Sequence, residues 1–193
     1  MGVVRRVFLE QIDSNLDTAK TKISDNTQSI RYLAAEVGER LRQRGVLMAT
    51  AESCTGGWLG QAVTAIAGSS VWYDRGFITY SNLSKNEMLG VSMTTLEKYG
   101  AVSEVTAQEM AFGAQKNSHA QVSVAITGIA GPTGGTELKP VGTVCFAWML
   151  KEGLLNSETC FFSGDRESVR RQAVMKALQG LLKLLDESSI HVV

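Results

Sequence analysis

A chain of 193 residues is long enough to bury its own core, and its 19 basic and 19 acidic side chains cancel, so bulk charge gives no grip on nucleic acid or an anionic membrane. With 44% hydrophobic residues it has the composition of a folded domain, yet no apolar run approaches the ~20 residues that span a bilayer. Cys54, Cys145 and Cys160 are scattered without a C-x-x-C pair, and His119 and His191 are isolated, which argues against a disulfide framework, a zinc site and a histidine-based triad. The N-terminal apolar stretch is cut by Glu10 and Asp13, unlike a secretory signal, so a cytoplasmic protein is expected.

Residues 1–27 are polar and mixed, with Ile12, Leu16 and Ala19 as a weak helical stripe, and are expected to form an extension, as a surface helix or a flexible arm. From Thr27 the pattern sharpens. Ile30, Leu33, Ala34, Val37 and Leu41 recur at helical spacing between cap candidates at 25–27 and a stop at Gly45. The run 46–50 then reads as a strand, 51–57 as a tight turn, and 58–66 as a helix closed by Gly68, with Leu59, Ala62, Val63 and Ile66 on one face. Residues 76–81 are rich in β formers and lead, through a cap at Asn82 or Ser84, to a short helix ending near Leu89. Another short helix covers 94–99, and Ser103 caps a longer one reaching about Lys116.

Residues 121–126 form a further apolar strand that ends in a second glycine-rich segment, 128–135. The runs 141–150 and 154–162 flank Lys151-Glu152-Gly153 as an antiparallel hairpin. Asp165 caps a last helix with Val169, Ala173, Ala177, Leu181 and Leu184 as its stripe, and 188–193 is expected to fray. Alternating strands and helices with one terminal hairpin predict an α/β fold, three-layer α/β/α with a mixed sheet, in which loops at the carboxyl ends of strands hold ligands. Both glycine-rich segments fall at such ends.

The first of them, Ala51-Glu52-Ser53-Cys54-Thr55-Gly56-Gly57, places Ser53 near a helix start where the amides of Thr55, Gly56 and Gly57 could stabilise an oxyanion. A base is still needed. With no histidine at hand, the candidate is a lysine of lowered pKa: Lys85, in Tyr80-Ser81-Asn82-x-x-Lys85, with Tyr80 able to orient the hydroxyl or the leaving group. The same residues also read as plain structure, with Ser53 and Thr55 as helix caps, Tyr80 as packing and Lys85 as a solvated surface group. Cys54 is a rival nucleophile, but successive residues of an extended segment face opposite sides, so only one of Ser53 and Cys54 can face a cleft. Segment 128–135 lacks the order of a P-loop and leaves open a turn or a phosphate or ribose pocket. Arg166 could clamp a phosphate or carboxylate, whereas Arg170 and Arg171 read as solvent-facing. Trp58, Trp72 and Trp148 fit a core or an interface equally.

In this order, AESCTGG, GFITYSNxxK, GAVSE, ITGIAGPTGG, KPVGTV and FSGDR resemble the CinA C-terminal domain family, whose stand-alone bacterial members are nicotinamide-nucleotide amidases. The resemblance covers residues 28 to about 186 and implies a domain over 28–187. It implies hydrolysis of the carboxamide of nicotinamide mononucleotide to nicotinate mononucleotide and ammonia, in pyridine nucleotide recycling, without metal, cofactor or ATP. By resemblance Ser53 is the nucleophile, Lys85 its base, Tyr80 a supporting hydroxyl and Arg166 a further catalytic residue. Thr55, Gly56, Gly57, Asn82, Gly128, Gly131 and Gly134 are then expected near the substrate. Lys85 would have to be largely neutral, through desolvation or a nearby cation such as Arg166. Relatives suggest a homodimer or larger homo-oligomer, with no nucleic-acid or membrane partner. The competing reading is a non-catalytic paralogue that binds a nucleotide or a partner, against which the intact set of Ser53, Tyr80, Lys85 and Arg166 argues.

Overall fold

Alternation along the strands decides how the sheet is clad. In a computed structural model that describes residues 29–151, 153 and 155–188, β1 (Met48–Glu52), β2 (Tyr73–Ile78), β3 (Val122–Gly128), β4 (Thr143–Leu150) and β5 (Leu155–Phe161) form one sheet in the order β2-β1-β3-β4-β5. Val122, Val124 and Ile126 of β3, with Val144, Phe146 and Trp148 of β4, point to one face and pack against α1 (helical over 29–44), α2 (Trp58–Thr64) and α6 (Arg166–Glu187). The opposite face is built from Ala49, Ala51, Ala125, Cys145 and Ala147. Small side chains there let α5 (Glu104–Lys116) approach closely, and the Ser123 hydroxyl donates to the Ala111 carbonyl at 2.8 Å. Helices α3 (Asn82–Leu89) and α4 (Met93–Tyr99) complete that layer through Leu89 and Leu96. The result is the three-layer α/β/α arrangement expected from the sequence.

Strands β2, β1 and β3 are mutually parallel, and β3-β4-β5 are antiparallel through the expected hairpin. The three parallel strands therefore present their carboxyl ends along one edge, at Ile78, Glu52 and Gly128. Pairing runs slightly past β1, where Ser53 N–H donates to the Ile126 carbonyl at 2.9 Å and Thr79 N–H to the Glu52 carbonyl at 2.8 Å. This fixes the backbone on both sides of Ser53 before any side chain is considered.

Three local differences have physical reasons. Strand β2 begins at Tyr73, three residues before the apolar pattern starts, because pairing with β1 needs only backbone and the edge position tolerates Asp74 and Arg75. Strand β1 runs to Glu52, beyond the expected end at residue 50, since the Glu52 carboxylate finds buried donors at the next turn. Helix α3 is capped by Ser81 instead of Asn82 or Ser84: its Oγ accepts from Ser84 N–H at 3.0 Å, while Ser84 Oγ accepts from Ser81 N–H at 3.1 Å. Such a box stabilises a helix by about 1 kcal/mol. The expected extension at 1–27 and the tail beyond 188 lie outside the described residues. Among the described residues no helix is long and apolar enough to cross a membrane.

Candidate active site

Parallel pairing of β1 with β2 puts the start of α3 beside the end of β1, and the side chains of Ser53 and Lys85 meet there across 32 residues of sequence. Lys85 Nζ donates to Ser53 Oγ at 3.0 Å and to the Thr79 carbonyl at 2.8 Å. Lys85 is 1% exposed, and among the described residues no carboxylate forms an ion pair with it. Burial drives its pKa below the ordinary lysine value of 10.5, with the neighbouring Cys54 thiol opposing the shift. Of the two causes considered from the sequence, desolvation is therefore the one at work; the Arg166 guanidinium is engaged elsewhere. Ser53 is 8% exposed. Cys54 points the other way into the core, where burial pushes its thiol up to about 12, so the rival nucleophile is protonated and covered.

The turn after Ser53 is organised by a residue that the sequence reading left without a role. Glu52 is 1% exposed, and its Oε2 accepts from the Thr55 hydroxyl at 2.7 Å and from the amides of Gly57 and Leu59 at 3.0 Å, while Oε1 accepts from Gly60 N–H at 2.8 Å. These are the orphan donors of α2, captured by a buried carboxylate in place of a side chain at the cap itself. Gly57 turns the chain at φ 93°, a left-handed conformation that glycine adopts without strain. The amides of Gly57 and Gly56 are thereby withdrawn from the oxyanion role assigned to them, since Gly56 N–H donates to the Ser53 carbonyl at 3.0 Å. Among the described residues no backbone carbonyl accepts from the amides of Cys54 and Thr55, and the Cys54 amide faces its own thiol. A pattern search could have found Glu52 only by asking why a strand should end in a carboxylate.

Tyr80 and Arg166 form a second group. Arg166 donates through Nη2 to the Tyr80 hydroxyl and through Nη1 to the Gly131 carbonyl, both at 2.8 Å, tying the loop after β2 to the loop after β3. Tyr80 is exposed and makes no hydrogen bond to Ser53 or Lys85. Asn82 lies exposed at the start of α3, Gly128 ends β3, and Gly131 and Gly134 bend the following loop with positive φ. Arg170, read from the sequence as solvent-facing, is instead folded back onto the turn after Ser53: Nε donates to the Cys54 carbonyl at 3.1 Å and Nη2 to the Thr55 carbonyl at 2.7 Å. It and Arg166 border a cleft of about 610 Å³ that Gly56, Gly57 and Trp58 close from the other side. Trp72 and Trp148 are core residues, whereas Trp58 is half-buried at this cleft.

Residues 30–185 match the CinA C-terminal domain. The chain belongs to the CinA C-terminal domain family. The nicotinamide-nucleotide amidohydrolase PncC of Escherichia coli strain K12 is 54% identical over 152 residues, 79% of this chain and 92% of that protein. The protein of the same name from Pseudomonas putida is 48% identical over 155 residues, 80% of this chain and 96% of its own. The crystal structure of the competence/damage inducible protein CihA from Agrobacterium tumefaciens superposes with a TM-score of 0.79 at 43% identity, covering 82% of this chain and 96% of that one. The CinA-type motifs of this domain thus occupy the elements around the Ser53–Lys85 pair: AESCTGG the end of β1 and its turn, TYSNxxK the approach to α3, and GDR the start of α6.

Proposed function

We propose that this CinA-family protein is an amide hydrolase that converts nicotinamide mononucleotide and water to nicotinate mononucleotide and ammonia through a Ser53–Lys85 pair. The observation that carries the reading is the buried Lys85 amine, 3.0 Å from Ser53 Oγ and, among the described residues, in no ion pair with a carboxylate that would hold its proton. Relatives named for this activity, aligned over nearly their whole length, support the substrate.

Once Lys85 is deprotonated the contact reverses, and the Ser53 hydroxyl donates to the lone pair on Nζ while an amine hydrogen stays on the Thr79 carbonyl. Ser53 Oγ attacks the carboxamide carbon as its proton passes to Lys85, and the amides of Cys54 and Thr55 receive the oxyanion. Collapse breaks the C–N bond, Lys85 returns the proton to the departing nitrogen, and ammonia leaves an ester on Ser53. Water then attacks that ester with Lys85 again taking the proton, which goes back to Ser53 Oγ as the carboxylic acid is released. Arg166 and Tyr80 act on the substrate side, holding the loops after β2 and β3 together around the entering amide. The homodimer or larger assembly suggested by relatives belongs to the same proposal, and light scattering of the purified protein tests it. The activity is tested by incubating the protein with nicotinamide mononucleotide and resolving products chromatographically: equimolar nicotinate mononucleotide and ammonia are expected, and their absence would overturn the reading.

A further inference from the structure

We propose that the cleft walled by Arg166 and Arg170 is the subsite for the phosphate monoester of the substrate, with Arg170 as its principal ligand; this rests on the mononucleotide amidase reading. A dianionic phosphate needs positive charge that is not already neutralised. Arg166 and Arg170 stand one turn apart on α6 and both border the cleft. Their contacts are with neutral acceptors: the Cys54 and Thr55 carbonyls for Arg170, the Gly131 carbonyl and Tyr80 hydroxyl for Arg166. Among the described residues neither forms an ion pair with a carboxylate. Each guanidinium has five N–H donors and spends two, so both keep their charge and further donors in a fixed orientation.

The surroundings keep Arg170 available. The Arg170 guanidinium carbon lies over the Trp58 ring, 5.3 Å from its centroid, a contact that restricts the side chain without using a hydrogen-bond donor. Gly56, at φ 60°, presents no side chain, and a Cβ there would sit 3.6 Å from Arg170 Nη2. The same turn carries Ser53 three residues before Gly56, and Arg170 holds the carbonyls of the two residues between them, so the proposed phosphate site and Ser53 are tied to one turn. The competing cation is Lys139, which follows the loop at 128–135, but its ammonium is drawn onto the Tyr99 and Val102 carbonyls, both at 2.7 Å. Glu167 also borders the cleft and opposes anion binding, so two positive charges face one negative.

Ribose 5-phosphate carries the sugar and phosphate without an amide, so its binding, followed by calorimetry, tests the subsite independently of hydrolysis. Wild type is expected to bind it, Arg170→Gln to weaken binding at least ~10-fold, as for loss of a charge-assisted hydrogen bond, and Lys139→Gln to leave it unchanged. Because Arg170→Gln also loosens the nucleophile turn, Glu167→Gln is the second arm: removing the opposing carboxylate should tighten ribose 5-phosphate about 2- to 5-fold, a gain that damage to the fold does not produce. Binding that survives Arg170→Gln, follows Lys139→Gln, or is unaffected by Glu167→Gln would overturn the subsite and leave the amidase reading standing. Ribose 5-phosphate binding with these dependences but no ammonia from nicotinamide mononucleotide would do the reverse.

Discussion

The Glu52 carboxylate accepts a 2.7 Å hydrogen bond from the Thr55 hydroxyl, and through this contact a fully buried acid grips the turn that carries Ser53. Glu52→Ala strands that hydroxyl and three amides, those of Gly57, Leu59 and Gly60, in a buried setting. A loss of at least ~3 kcal/mol in denaturant unfolding is expected, from several unsatisfied donors at about 1–3 kcal/mol each with partial relaxation. Glu52→Gln keeps one acceptor but turns an NH₂ toward a donor, so it should cost about 1–3 kcal/mol. A Glu52→Ala protein as stable as wild type would contradict this role.

Lys85 makes stability depend on pH in a defined sense. Burial holds its folded-state pKa below 10.5, so between that folded value and 10.5 the unfolded chain binds more protons and stability rises with pH. Below the window both states are protonated and the full cost of burying the ammonium is present; above 10.5 both are neutral and the cost is gone. Lys85→Met removes this term at every pH. Any stability advantage of Lys85→Met over wild type should therefore shrink by about 1.4 kcal/mol for each unit of depression as pH is raised through the window. A difference between the two proteins that does not change with pH would show that the Lys85 pKa is the same in both states.

How far the sequence reveals this molecule depends on whether the signal is local. The Ser103 cap of α5, the stripe from Val169 to Leu184 on α6 and the hairpin at Gly153 are all local, and each is found where the pattern places it. The edge strand β2 begins earlier than its apolar pattern because its partner is β1, a backbone pairing that side-chain pattern cannot announce, and Asp74 is held by Arg75 and the His119 amide, not by an apolar neighbour. For the candidate site the same distinction holds. Ser53 and Lys85 could be singled out by residue type and by the family's motifs, but their 3.0 Å approach follows from parallel pairing that no spacing encodes. Arg170 was misread because helical periodicity places a residue on a face without saying what a neighbouring loop brings to that face. Glu52 had no reading at all, since its partners are backbone amides.

Thr79 offers a test of a different kind. Its carbonyl holds Lys85, yet its own hydroxyl is buried and has no hydrogen-bond partner among the described residues. Thr79→Val keeps the carbonyl and the shape while removing an unsatisfied polar atom. Thermal unfolding is expected at an equal or higher midpoint, with a gain of up to ~1–2 kcal/mol, and turnover should be retained. Destabilisation by more than ~1 kcal/mol would mean that the hydroxyl is satisfied by ordered water.

The central claim is that Ser53 attacks and Lys85 moves the proton. It is measured most directly by comparing steady-state ammonia release from nicotinamide mononucleotide by wild type, Ser53→Ala and Lys85→Ala, each first shown to be folded. Each variant is expected to lose at least ~100-fold in kcat, and wild-type kcat/KM to rise with pH as Lys85 loses its proton. Retention of wild-type turnover by either variant would contradict the account.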